Sequence, residues 1–247
     1  MNKIAAILMI GIISYGVYAA FSSTQPGSKP FKRKAQNDVS RAYLAKTVNG
    51  KKHSSIMRGM KGLENSSSNI VTAVVLDYRG FDTLGEVTVL FAAIAGIGLL
   101  LGGQKKRVIT PAGPIISSLA PWIALFILIT SAYVFLHGHL TPGGGFPGGA
   151  MIAAGFLLMV LGFRTKPSGV FRMLESFAGL SFVLVGLLGF LKKGSFLQNF
   201  MGTGEMGSLF GSLFITVLYA IIGIKVAAEL SSGFGSFVKE DLEEEHE

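Results

Sequence analysis

The chain has 247 residues, a mean hydropathy of +0.55, half its residues apolar, 15% charged and no cysteine. That composition excludes an ordinary soluble domain, and the missing thiols exclude disulfides, iron–sulfur ligation, thiol catalysis and Cys-rich zinc sites within this polypeptide. The formal charge of +8 is not a nucleic-acid signal: ten of the 22 Lys and Arg fall between Phe21 and Ser66, in a stretch poor in aromatics and set between membrane segments, so membrane lipid or a partner protein is the expected target.

The first apolar block, Ile4 to Phe21, reads as a retained transmembrane helix or, alternatively, as a secretory signal cleaved near Ala19 or Ala20. Residues 22–68 are polar, basic and rich in Ser, Lys, Gly and Asn, and read as a long connecting loop. Asn69 to Arg79 is apolar but too short to span, and Gly80 interrupts it, so an interfacial or re-entrant position is expected. Further spans are predicted at about Thr83–Leu101, Ile115–Leu136 (with Pro121 near its start), Ala150–Phe163 (alternatively recruiting some of the Gly-dense corner before it), Phe171–Leu191 and Gly207–Leu230. The fold class is therefore all-α: a polytopic membrane protein of about six transmembrane helices with a long polar first loop. Residues 1–107 form a two-helix module containing basic loop 22–68, residues 108–232 a four-helix module, and residues 233–247 an acidic tail.

Basic residues in short loops orient such a chain. An N-terminus and C-terminus in the cytoplasm put Lys105, Lys106, Arg107, Arg164, Lys166 and Arg172 inside, although the first loop and its ten basic residues then face outward. Gly98-x-x-x-Gly102 and Gly207-x-x-x-Gly211 offer close helix approach.

Ionisable groups at bilayer depth are costly and are functional candidates by default. Glu86 lies one turn into the second span, and in a continuous helix Arg79, Asp82 and Glu86 would share a face. The alternative is an Asp82 cap with an Arg79–Glu86 ion pair. Lys225 and Glu229 are four apart in the last span, where snorkelling and a local pair compete with a transport role. Glu175 reads as a first-turn acid favoured by the helix dipole. His137 and His139 flank a glycine before the corner Pro142, Gly143, Gly144, Gly145 and Phe146. A histidine there can relay a proton, but no Cys or nearby acid completes a metal site, and the corner lacks the Gly-Lys-Ser/Thr of a phosphate loop. No metal site, catalytic set or bound cofactor is expected in this chain.

The string NIVTAVVLDYRGFDTLGEVTVL from Asn69 to Leu90 resembles the C-terminal segment of the A subunit of Mrp-type cation/proton antiporters, which is also the E-type subunit of membrane-bound hydrogenases. The string HGHLTPGGGFPGG from His137 to Gly149 with the helix after it is similar to the Mrp antiporter B subunit, the F-type subunit of such hydrogenases. The chain thus looks like a fusion of two modules. The resemblance implies an accessory membrane subunit of a sodium/proton antiporter module, with Asp77, Arg79, Asp82, Glu86, His139 and Lys225 tied to ion translocation and Pro142 and Phe146 to the motif. It implies sodium and protons as transported ions and a plasma-membrane location. Expected partners are other antiporter-type membrane subunits, redox subunits carrying iron–sulfur or nickel centres, and lipid. Any oxidoreductase activity would then belong to the surrounding complex. A purely structural spacer and, less favoured, a stand-alone secondary transporter are the competing readings; no convincing internal repeat supports the latter.

Overall fold

A computed structural model describes residues 14–15, 38–48, 56–101, 113–163 and 169–237. The chain divides into two compact units, residues 1–41 and 42–247. In the first, residues 14–15 and 38–41 are described and helical; the expected span Ile4–Phe21 otherwise lies outside the described residues, as do residues 238–247 of the acidic tail. All that follows concerns the second unit, which the short helix α1 (Asp38–Leu44) enters at Ala42.

Among the described residues five helices are long and apolar enough to cross a membrane. These are α3 (Gly80–Leu101), α4 (Pro114–Leu136), α5 (Gly145–Phe163), α6 (Gly169–Lys193) and α7 (Leu213–Phe237). Pro121 is the eighth residue of α4, beyond the first turn where it was expected, so its missing N–H removes one bond of the helical ladder. The last helix is the hub: 61% of its apolar window is buried, against 11% for α3 and α4, and it packs on all four other spans. Its buried face, Phe214, Ile215, Leu218, Ile222 and Val226, repeats at three- and four-residue intervals, the spacing of one helical stripe. The outer faces of α3 and α4 carry exposed Phe91, Leu99, Trp122 and Phe126, as expected of surfaces covered by lipid or neighbouring subunits.

Three further features differ from expectation. Helix α5 starts at Gly145 rather than Ala150, as in the alternative, because part of the Gly-dense corner is its first turn. A Cβ at Gly145 would stand 2.6 Å from the Tyr219 carbonyl oxygen, and one at Gly149 2.6 Å from that of Gly223. These glycines let two backbones touch, a small-xxx-small contact that replaces the two expected pairs. Gly207 and Gly211 precede α7, which starts at Leu213, and Gly207 sits at φ +88° in a turn; that pair is no helix seam. Nothing within 4 Å would meet a Cβ at Gly98, and Gly102 lies outside the described residues.

The third difference is the connector. Residues 56–68 do not behave as a free linker. Leu63, Asn65, Ser66 and Ser67 are buried, Gly59 N–H donates to the Met206 carbonyl and Met206 N–H to that of Met60, and Lys61 pairs with Glu205 at 2.8 Å. Next come the three-residue helix α2 (Ile70–Thr72) and a π-helical turn (Ala73–Tyr78) that meets the first turn of α3. This segment, the corner 137–144 and the loop 194–212 meet at one end of the bundle. Loop 194–200 folds back onto α6, with Leu197 N–H donating to the Gly186 carbonyl and the Phe196 ring lying over Gly186.

Candidate functional site

Asn69 is where the two sequence modules interlock. Its Oδ1 caps α2 by accepting from the Val71 and Thr72 N–H groups, and its Nδ2 donates to the carbonyls of Gly138 and Thr141, both at 3.0 Å. All four hydrogen-bonding positions of the amide are thus used. Thr72 Oγ1 donates to the Gly138 carbonyl at 2.7 Å, so its contact with the Tyr219 hydroxyl, also 2.7 Å, has the tyrosine as donor. A chain from α7 through α2 to the corner results.

His139 is fully buried beside this lock. Its Nε2 faces the Ser208 carbonyl at 3.2 Å and its Nδ1 the Thr216 hydroxyl at 3.3 Å. A carbonyl only accepts, so Nε2 carries a proton. Burial first, with His137 nearby, holds the ring below the ordinary histidine range against the opposing pull of that carbonyl.

Between α2, the corner and α3 lies a cavity of about 400 Å³ lined by Asn69, Thr72, Thr83, Glu86, Tyr219 and the run Pro142–Pro147. Glu86 is the seventh residue of α3, about 9 Å below its start at 1.5 Å per residue, and is exposed on the surface of this chain. The cavity therefore joins the carboxylate of one motif to the Pro-Gly-Gly-Gly-Phe run of the other. The expected shared face of Arg79, Asp82 and Glu86 is not formed. Arg79 leaves the helical region at φ −132°, ψ 38° and pairs with Asp82 at 2.6 Å, both side chains half exposed. An Arg79–Glu86 pair is thereby replaced by a local bridge at the helix mouth.

Asp77 lies apart from this cavity, in a polar cluster that the sequence did not announce. Lys46, from the basic connector, is 2% exposed and donates to the Ser67 carbonyl and to Asn65 Oδ1; Asn65 Nδ2 donates to Asp77 Oδ2. Burial pushes Asp77 up to about 6, against hydrogen bonds from Asn65 and Asn199 and the charge of Lys46. Burial likewise lowers Lys46 to about 8, opposed by Asp77 and Glu64. Tyr78 is driven upward by burial and by the same two carboxylates.

Lys225 forms a third place. Its ammonium sits 3.2 Å from Glu229 and 3.9 Å from Glu175, and over the Phe91 ring at 5.4 Å. The i,i+4 spacing makes the first partner legible; Glu175 comes from another helix, and its place in the sequence marks it only as a helix-start acid. Among the described residues no group of three or more His, Asp or Glu could hold a metal ion.

Comparison with known proteins accounts for most of the chain. Residues 115–232 match a domain related to the MnhB subunit of Na+/H+ antiporters, and residues 32–104 match the E-type subunit of MBH. A putative antiporter subunit mnhB2 of Staphylococcus aureus is 30% identical over 127 residues, covering 46% of this chain and 89% of that protein. An uncharacterised protein of Methanocaldococcus jannaschii is 31% identical over 195 residues, covering 66% of this chain and 74% of its own length. Among solved structures, a chain of the membrane-bound sulfane sulfur reductase, an archaeal respiratory membrane complex, superposes with a TM-score of 0.69 at 36% identity, over 97% of this chain and 99% of that one. A chain of the Mrp complex from Dietzia sp. shares the fold at 19% identity with a TM-score of 0.63, over 99% of this chain and 27% of that one. The chain belongs to the family of MnhB-type antiporter subunits, carried here in one polypeptide with a segment of the MBH E type.

Proposed function

We infer that this chain, an accessory membrane subunit of an Mrp-type antiporter module, forms part of that module's ion path, with Glu86 as its carboxylate. The observation that carries the reading is the cavity of about 400 Å³ at which Glu86 meets the Pro142–Pro147 run. A carboxylate at this depth on the outer surface of α3 is too costly to leave against lipid, so it faces another membrane subunit, and an ion passing there has oxygen ligands from both. Sodium and protons are the proposed ions. Asp82 and Arg79, paired at the mouth of α3, set the field above it. His139 locks the corner to the start of α7, and Asp77 holds the connector in place. The similarity to a chain of an archaeal respiratory complex supports a redox assembly with iron–sulfur- or nickel-bearing partners. On this reading the end of the bundle bearing Lys46, His139 and Lys61 faces outward, and the termini lie in the cytoplasm.

The test is Glu86→Gln in the whole complex, assayed for antiport in everted vesicles. Transport should be lost while the complex is recovered intact. Full transport by an assembled variant would refute the role, and loss of assembly in place of transport would favour the purely structural spacer.

A further inference from the structure

We propose that Glu175, Lys225 and Glu229 form a proton-binding site within the membrane-spanning bundle, in which two carboxylates around one ammonium hold a single exchangeable proton. The proposal deepens the ion-path reading, on which it rests for its physiological meaning, but its chemistry follows from charge and burial alone.

Lys225 is the thirteenth of the 25 residues of α7, at the middle of the span. Its side chain is 14% exposed, that of Glu229 1% and that of Glu175 18%. Among the described residues, the ionisable side chains paired with Lys225 are Glu175 from α6 and Glu229 from α7, while α3 contributes the Phe91 ring. One ammonium between two ionised carboxylates leaves a net charge of −1 inside the bundle. Such a charge is expensive at bilayer depth, and two carboxylates sharing one site do not both ionise readily. A proton on one of them restores neutrality.

The second observation is Glu229 Oε1. Its sister oxygen accepts from Lys225, yet Oε1 is buried with no hydrogen-bond partner. An ionised carboxylate with an oxygen left bare is poorly stabilised; a proton or a water reaching that oxygen removes the deficit. A cavity of about 230 Å³ between α3, α6 and α7 reaches Lys225; apart from Thr88 its lining is apolar, with Leu84, Val87, Phe91, Phe182 and Ile222. A Cβ at Gly179 would lie 3.6 Å from Lys225 Cε, so the lysine stem rests on that glycine between the two acids.

The charge count makes a sharp infrared prediction. In the purified complex at neutral pH, the spectrum of wild type minus Glu229→Gln should show one carboxylic-acid carbonyl band, shifted by deuterium exchange, and no change in ionised carboxylate. The reason is that Glu175 then becomes the sole, ionised partner of Lys225. Glu175→Gln should give the same difference, and Lys225→Met should add a second carboxylic-acid band. Loss of an ionised-carboxylate band alone, or a carboxylic-acid band surviving in either Glu variant, overturns the proposal. Should Glu229→Gln fail to assemble, Glu175→Gln, at a less buried position, decides the matter. The readout needs no transport, so it stands or falls separately from the Glu86 assay.

Discussion

Replacing Asn69 by alanine tests the interlock between the two modules. The substitution removes the cap of α2, worth about 1 kcal/mol, and two donors to the Gly138 and Thr141 carbonyls, worth about 1 kcal/mol each. Gly138 keeps the Thr72 hydroxyl. The sum, about 3 kcal/mol, corresponds to a population shift of roughly 150-fold between docked and undocked connector at 1.4 kcal/mol per decade. Hydrogen exchange of the whole complex reads this directly: the amides of Val71 and Thr72 and of the corner, Asn69 N–H to the His139 carbonyl included, should lose about two decades of protection. Asn69→Asp keeps the acceptor and loses both donors, so it should retain the α2 cap while still freeing the corner. Unchanged exchange at the corner in Asn69→Ala would refute the claim that this amide helps to hold the corner to the connector.

Stability of the connector should have a minimum in pH between about 6 and about 8. Asp77 is raised to about 6 from 3.8, so the docked state binds more protons than the free chain in that window and weakens as pH rises through it. Lys46 is lowered to about 8 from 10.5, so the docked state binds fewer protons there and strengthens as pH rises from about 8. Limited proteolysis of residues 56–79 against pH measures both limbs; Asp77→Asn should flatten the acid one and Lys46→Met the alkaline one, and a curve unaltered by either would disprove the assignment. Gly149→Val should cost about 3 kcal/mol or more, because the added Cβ would lie 2.6 Å from the Gly223 carbonyl, which is backbone and cannot step aside. Gly98→Val, where nothing stands within 4 Å, should be nearly silent; thermal denaturation of the complex compares the two, and equal losses would count against the α5–α7 seam.

The five described spans are legible because membrane helices announce themselves by sustained apolarity, a signal that survives without neighbours. The corner is legible only as chemistry. A run such as Pro142–Gly149 reads locally as irregular backbone, but Gly145 and Gly149 are helical in α5, chosen for the backbone of α7 that touches them. That is tertiary information, absent from any window along the chain. Glu86 and the Pro142–Phe146 run both stand out in the sequence, and the structure brings them to one cavity. Lys46 could not be found this way: along the sequence it is one of a run of basic residues, and the Ser67 carbonyl and the Asn65–Asp77 pair opposite turn it inward. Glu175 and Glu229 come from different helices, so their common lysine had no sequence signature beyond the spacing to Glu229.

The covalent join between the two modules changes what their contact must achieve. Helix α3 ends at Leu101 and α4 begins at Pro114, so only a short stretch of chain joins the helix that follows the α2 lock to the helix that leads into the corner. Short tethers give effective concentrations in the millimolar range. A contact with an intrinsic dissociation constant of about 0.1 mM, useless between separate polypeptides at cellular abundance, would then be about 90% closed. The Asn69, Thr72 and Tyr219 contacts thus need only be specific rather than strong, and every copy of the corner receives one copy of the Glu86 helix. Strict one-to-one stoichiometry is built into the polypeptide itself, and a separately expressed pair should need far higher concentrations to restore it.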